Sequence, residues 1–92
     1  MEILHSSNDK KGKFYIEVDH KEVAQMTYVW VGVDRIIIDH TEVGAELKGM
    51  GAGKQLVFAA VAFARDKGIK ILPLCPFAKS VFDKVEEIQN VL

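Results

Sequence analysis

The sequence is short of several things, and each shortage removes a class of answers. Cys75 is the only cysteine in 92 residues. No disulfide can form within the chain, and that cysteine usage fits a reducing compartment such as the cytoplasm. Neither sign of charge is in excess: 12 Lys and Arg face 13 Asp and Glu, for a formal net charge of −1. Such a chain has no overall field for nucleic acid or anionic lipid, so neither is expected as a partner. The longest apolar run, Leu56 to Ala64, falls far short of the ~20 residues a membrane helix needs. The start, Met1 to Ser6, lacks a basic segment followed by a long apolar one, so it does not read as a signal peptide. His5 and His20 lie in polar stretches and are not expected to act; His40, Cys75 and the scattered carboxylates show no metal-ligand spacing, and no metal is expected.

What remains is an ordinary apolar and charged balance in a chain long enough for one domain, residues 1–92. A chain this size buries roughly 60–70% of its unfolded surface, enough for one modest core. Ser6 to Lys13 is polar and reads as a loop or loose start. Phe14–Val18, Val23–Val31 and Arg35–Val43 are rich in β-branched and aromatic residues and read as three strands with short polar turns, an antiparallel meander. Phe14, Tyr28 and Trp30 belong to these strands and read as sheet residues rather than a stacking platform for bases. Gly51 to Lys67 reads as a well-buried helix stopped by Gly68. Ile69–Leu74 is a short fourth strand, and Pro76 opens a second helix to about Val85. Strand, glycine loop, helix and strand make a crossover unit, so the last strand should run parallel to the third. The expected class is α+β, a mixed, mostly antiparallel sheet with two helices.

The loop Lys48-Gly49-Met50-Gly51-Ala52-Gly53-Lys54 is the most distinctive segment. Glycine tolerates positive φ and lets backbone approach a ligand. The following helix offers unpaired N–H groups and the positive end of its dipole, which suits phosphate. Lys48 and Lys54 flank the site with positive charge. The plain alternative is a glycine turn with solvated lysines. Two known phosphate loops do not fit. A P-loop needs glycine where Lys48 stands, and Ser or Thr where Gln55 stands. The dinucleotide fingerprint needs a different glycine spacing and an acidic residue about twenty positions on.

Cys75 lies between the fourth strand and the helix opened by Pro76. A helix N-terminus stabilises a thiolate, so Cys75 reads either as a nucleophile or as a packed, inert thiol. His40 follows Asp39 on the third strand and could take a proton from an amine or from Cys75, or could be held within the sheet. Glu42 could orient an amine, act as base or face water, and Lys79 could reach phosphate or face water.

The stretch Thr41-Glu42-Val43-Gly44-Ala45-Glu46-Leu47 followed by Lys48 to Gly53 resembles the central motif of the acyl-CoA N-acyltransferase (GNAT) superfamily. Val43 matches the strand valine of that motif, Lys48 its Arg/Gln position, and Gly51 and Gly53 its two glycines. Together with His40, Ala64-Arg65, Gly68 and Pro73-Leu74-Cys75-Pro76-Phe77, it is similar to a small subfamily of short GNAT-like proteins over Phe14 to Asp83. The resemblance implies a GNAT-type core that binds acetyl-CoA as acetyl donor, with an unidentified amine as acceptor. It implies that backbone around Thr41, Glu42 and Val43 pairs with the pantetheine arm. Lys48, Gly49, Met50, Gly51, Ala52, Gly53 and Lys54 would hold the pyrophosphate. It places Cys75 near the thioester. The chain departs from larger relatives in three ways. Lys48 replaces Arg or Gln, the helical acceptor-side region is missing, and Phe82 stands where a tyrosine protonates the departing thiolate. The subfamily also tends to carry an aromatic where this chain has Ile88. Two functions follow, an N-acetyltransferase acting through Cys75 and a CoA-binding module without turnover.

Overall fold

Apolar and polar residues alternate through the middle of the chain, and that alternation builds a hairpin. Strand β2, Lys11–Val18, turns through Asp19 and His20 into β3, Lys21–Val31. Both turn residues have positive φ, 53° and 66°. That is the two-residue turn whose twist matches paired strands. Phe14, Ile16, Ala24, Met26 and Tyr28 point to one face and are buried. Gly32, at φ 63°, helps turn the chain into β4, Arg35–Val43.

The computed structural model describes residues 1–92 as a five-stranded sheet in the order β1-β2-β3-β4-β5. Strand β1 is Leu4–Ser7, and β5 is Lys70–Pro73. All neighbours are antiparallel except β4 and β5, which are parallel. Helix α1, Ala52–Lys67, makes the crossover between them, and α2, Pro76–Lys84, follows β5. Leu56, Val57, Ala60, Val61 and Ala64 of α1 are buried against the sheet, while Phe58 and Phe63 flank that stripe half-buried. Gly68 at φ 68° caps α1, and Pro76 occupies the first turn of α2, as the sequence predicts.

Two pieces differ from the sequence reading. The segment from Ser6 to Lys13, read as a loop, contains the end of β1 and the start of β2. Its register, His5 opposite Phe14 and Ser6 opposite Lys13, completes a second hairpin. Its turn is held by Asn8, whose side-chain oxygen accepts the amides of Lys10 at 2.9 Å and Lys11 at 3.0 Å. Polar residues pair here because a neighbouring strand supplies their backbone partners, which hydrophobic pattern cannot reveal. The C-terminus forms a 3-10 segment, Glu86–Val91, that buries Ile88 and Val91. Arg65 Nη2 donates to the Glu87 carbonyl at 2.7 Å and to Asn90 Oδ1 at 2.8 Å, fixing this segment to α1.

Candidate functional site

The site begins with an irregularity in β4. Thr27 pairs with His40 and Tyr28 with Ile38, so Asp39 is an extra residue without a partner, a β-bulge. Thr27 Oγ1 donates to Asp39 Oδ1 at 2.6 Å and holds the bulge on the face of the sheet away from the helices. The extra residue reverses the alternation of β4. Before it, Ile36 and Ile38 face the helices. After it, Thr41 and Val43 face them, opposite buried Met26 and Ala24. His40 and Glu42 are turned to the outer face, where His40 Nε2 lies 3.8 Å from Glu42 Oε2 and both side chains are well exposed.

The two parallel strands then part. Pairing of β4 with β5 ends at Ile38 and Pro73. The Ile38 carbonyl accepts the amides of both Leu74 and Cys75, each at 3.0 Å, and β4 continues from Asp39 to Val43 beside no neighbour on that edge. The gap opens into a groove of about 770 Å³. Thr41 and Val43 line it from β4, Gly49 and Gly51 to Lys54 from the loop and helix start, and Phe77, Ser80, Val81 and Lys84 from α2.

The loop forms its wall through backbone. Gly49 and Gly51 have φ of 81° and 72°, in the left-handed region that favours glycine. Gly51 caps α1, and its carbonyl accepts the Gln55 amide at 3.0 Å. The amides of Gly51, Ala52, Gly53 and Lys54 have no backbone acceptor. They form the positive end of a helix of 16 residues, facing the groove. Gly53 has a different reason to be glycine. A Cβ there would lie 2.5 Å from Phe77 Cζ, so α1 and α2 approach closely only because the side chain is absent.

Cys75 caps α2 and is 6% exposed. Its thiol donates to Thr41 Oγ1 at 3.3 Å. Burial pushes its pKa up. The Thr41 hydroxyl and the backbone groups of Ala78, Phe77 and Thr41 outweigh that, and the thiol sits below its ordinary value. Apart from Tyr28, no other buried residue carries a titratable side chain.

The structure thus brings Thr41, Val43, Lys48, Gly49, Gly51, Ala52, Gly53 and Lys54 to one groove, with Cys75 bonded to Thr41 at its edge. Glu42 and Met50 do not line it; Glu42 lies on the outer face and Met50 is exposed in the loop. His40 is not among the partners of Cys75, because the bulge sends it to the other face. The α2 wall carries no motif in the sequence, although Phe77, Val81 and Lys84 recur there at helical spacing. Phe82 is buried at 1%, within the core. No group of three or more His, Cys, Asp or Glu is placed to hold a metal, and no helix is long and apolar enough to cross a membrane.

A mixed sheet parted between its parallel strands, with a glycine-capped helix start at the opening, defines an N-acetyltransferase fold. The chain belongs to the GCN5-related N-acetyl-transferase family, whose sequence model matches residues 13–91. It is similar to the solution structure of a GCN5-like protein from Staphylococcus aureus. The two are 40% identical with a TM-score of 0.74, and the match covers 98% of this chain and 85% of that one. Two larger enzymes share the fold at lower identity. The ribosomal-protein-alanine N-acetyltransferase from Brucella melitensis biovar Abortus 2308 is 15% identical, with a TM-score of 0.69 over 85% of this chain. An aminoglycoside acetyltransferase from an uncultured soil metagenomic sample is 18% identical, with a TM-score of 0.65 over 90% of this chain. This chain spans 62% and 57% of those two proteins. No curated protein matches it.

Proposed function

We propose that this protein binds acetyl-CoA in the groove between the free edge of β4, the glycine loop and α2, and passes its acetyl group through Cys75 to an amine. The carrying observation is that unpaired amides of Gly51 to Lys54 and a thiol of lowered pKa adjoin one groove. The amides suit the pyrophosphate, with Lys48 and Lys54 adding charge. The unpaired edge of β4 from Thr41 to Val43 suits the amide groups of a pantetheine arm. Glu42 contributes through backbone, while the Met50 amide is given to the Leu47 carbonyl at 3.1 Å, so its part is in the shape of the loop.

Bound acetyl-CoA supplies a thioester, an acetyl group activated towards nucleophiles. Cys75 Sγ attacks the thioester carbonyl carbon. The new Sγ–C bond forms as the C–S bond to CoA breaks, and the proton lost by Cys75 ends on the CoA sulfur. One thioester replaces another, so the exchange is nearly isoenergetic. The backbone N–H groups of Phe77 and Ala78 hold the charge on the Cys75 thiolate before it attacks. An amine nitrogen then attacks the Cys75 thioester, forms the amide and releases the Cys75 thiolate. His40, on the outer face beside the open gap, is the proposed acceptor of the amine proton. This route needs no tyrosine where Phe82 stands. A reduced thiol is required throughout, which favours a reducing compartment such as the cytoplasm.

The buried Phe82, without a hydroxyl, favours a second reading in which the protein binds CoA without turnover. Titration calorimetry with CoA and intact mass spectrometry after incubation with acetyl-CoA separate the two. Binding with a mass gain of one acetyl group, lost in Cys75→Ala, supports the transferase. Binding with no adduct and no transfer to any amine supports the module, and no binding removes both.

A further inference from the structure

The mechanism above needs Cys75 activated, and the obvious candidate, His40, lies on the wrong face of β4. The groups that surround the thiol are few. Lys79, on the first turns of α2, is engaged with Asp83 at 3.0 Å. Glu42 faces outward with His40. No hydrogen bond joins a charged side chain to the thiol. What does touch it is a hydroxyl. Thr41 Oγ1 lies 3.3 Å from Cys75 Sγ and belongs to a residue that lines the groove.

We propose that Thr41 is the positioning residue that makes Cys75 a nucleophile. This rests on the transferase reading of the same groove. In the resting protein the thiol donates to Thr41 Oγ1. When Cys75 ionises, its proton passes to water in the groove. The Thr41 hydroxyl then rotates about its C–O bond and donates to the thiolate. A hydroxyl can serve both states because it is donor and acceptor at once. A hydrogen bond to a charged acceptor is worth more than one to a neutral thiol, so the same contact favours ionisation. Of the groups that favour the thiolate here, the Thr41 hydroxyl acts most strongly.

The placement depends on the bulge. Without Asp39 as an extra residue, strict alternation from Ile36 and Ile38 would bring His40 and Glu42 to the groove side and send Thr41 outward. The Thr27 to Asp39 hydrogen bond holds the bulge. The outer face of the sheet therefore fixes what stands beside Cys75 on the inner face.

The chain has one cysteine, so its thiolate can be titrated by ultraviolet absorbance against a Cys75→Ser baseline that cancels the tyrosines. The titration uses no acetyl-CoA, so its outcome stands apart from whether the groove binds CoA. Thr41→Val keeps shape and strand preference but removes the hydroxyl. It should titrate at higher pH than the parent and alkylate with iodoacetamide about ten-fold more slowly at neutral pH, the equivalent of one hydrogen bond to a charged group. Thr41→Ser should restore the parent curve. A Thr41→Val curve that overlays the parent, or a Thr41→Ser curve shifted as far as Thr41→Val, overturns the proposal. Should circular dichroism show Thr41→Val unfolded, Thr41→Ala carries the same test.

Discussion

Phe77 stands against Gly53 so closely that a Cβ on the glycine would lie 2.5 Å from the ring's Cζ and 2.6 Å from its Cε2. This contact joins the start of α1 to the start of α2 and sets the width of the groove between them. Alanine in a helix is ordinarily worth about 1 kcal/mol over glycine. At Gly53 that gain is offset by overpacking, which costs about 1–3 kcal/mol. The ring tip is movable and Phe77 is partly exposed. Gly53→Ala should therefore leave thermal stability nearly unchanged while pushing the ring into the groove and weakening CoA binding. A clear rise in melting temperature with unchanged CoA affinity by calorimetry would refute this.

Gly51 answers to a different constraint. Nothing lies within 4 Å of where its Cβ would stand, yet its φ is 72°. The strain is in the backbone, about 1–2 kcal/mol for an ordinary residue. Gly51→Val should lose about that much in denaturant unfolding and should also lose CoA affinity, because its branches block the approach to the free amides. Gly51→Asn, which tolerates the left-handed region, should be the more stable of the two. Equal unfolding midpoints for Gly51→Val and the parent would remove the argument.

His5 ties β1 to the core. Its ring stacks on Phe14 at 4.2 Å between centroids, and Nε2 lies 2.6 Å from the Tyr28 hydroxyl. Burial chiefly, with Lys67 nearby, holds its pKa below the ordinary 6.5. The folded state thus prefers the neutral imidazole, and the unfolded chain binds the proton more readily. The stabilisation is fully present above 6.5 and is lost as pH falls through the lowered folded value. The melting temperature should fall between neutral and mildly acidic pH. In His5→Phe, which keeps the stack but cannot titrate, that slope should be shallower. Parallel slopes for the two proteins would count against a role for His5.

Cys75→Ala separates binding from chemistry. The variant keeps the groove walls and the α1 amides, so CoA should bind with little change. Acetyl transfer should disappear with every amine that works for the parent. His40→Ala should slow transfer and leave acetylation of Cys75 intact, since His40 is not bonded to the thiol. Full transfer by Cys75→Ala, followed by chromatographic detection of the acetylated amine, would make the thiol a packing residue.

Much of this arrangement was legible beforehand where the signal is local. The meander from Phe14 to Val43 follows from β-branched alternation and short polar turns. The ends of α1 follow from Gly51 and Gly68, both found at positive φ. Pro76 marks the start of α2 for a steric reason that needs no partner. The glycine loop could be placed at a helix start because three glycines between a strand and an apolar run have few other uses. Strand β1 and the 3-10 segment at Glu86–Val91 carry no such signal. Polar His5 and Ser6 form a strand only because β2 lies alongside.

The sequence by itself determined which residues are available: one thiol at a helix start, a glycine loop between lysines, and a histidine and a threonine beside each other on one strand. Tertiary structure alone decided which of those two meets the thiol. In a regular strand the side chains alternate, and parity from Ile36 and Ile38 would select His40 for the groove. One unpaired residue, Asp39, reverses that parity, and it is held by a hydroxyl from a different strand, Thr27. A bulge is a property of two paired strands, so neither strand's sequence announces it. Thr41 therefore faces Cys75 at 3.3 Å, while His40 faces away with Glu42.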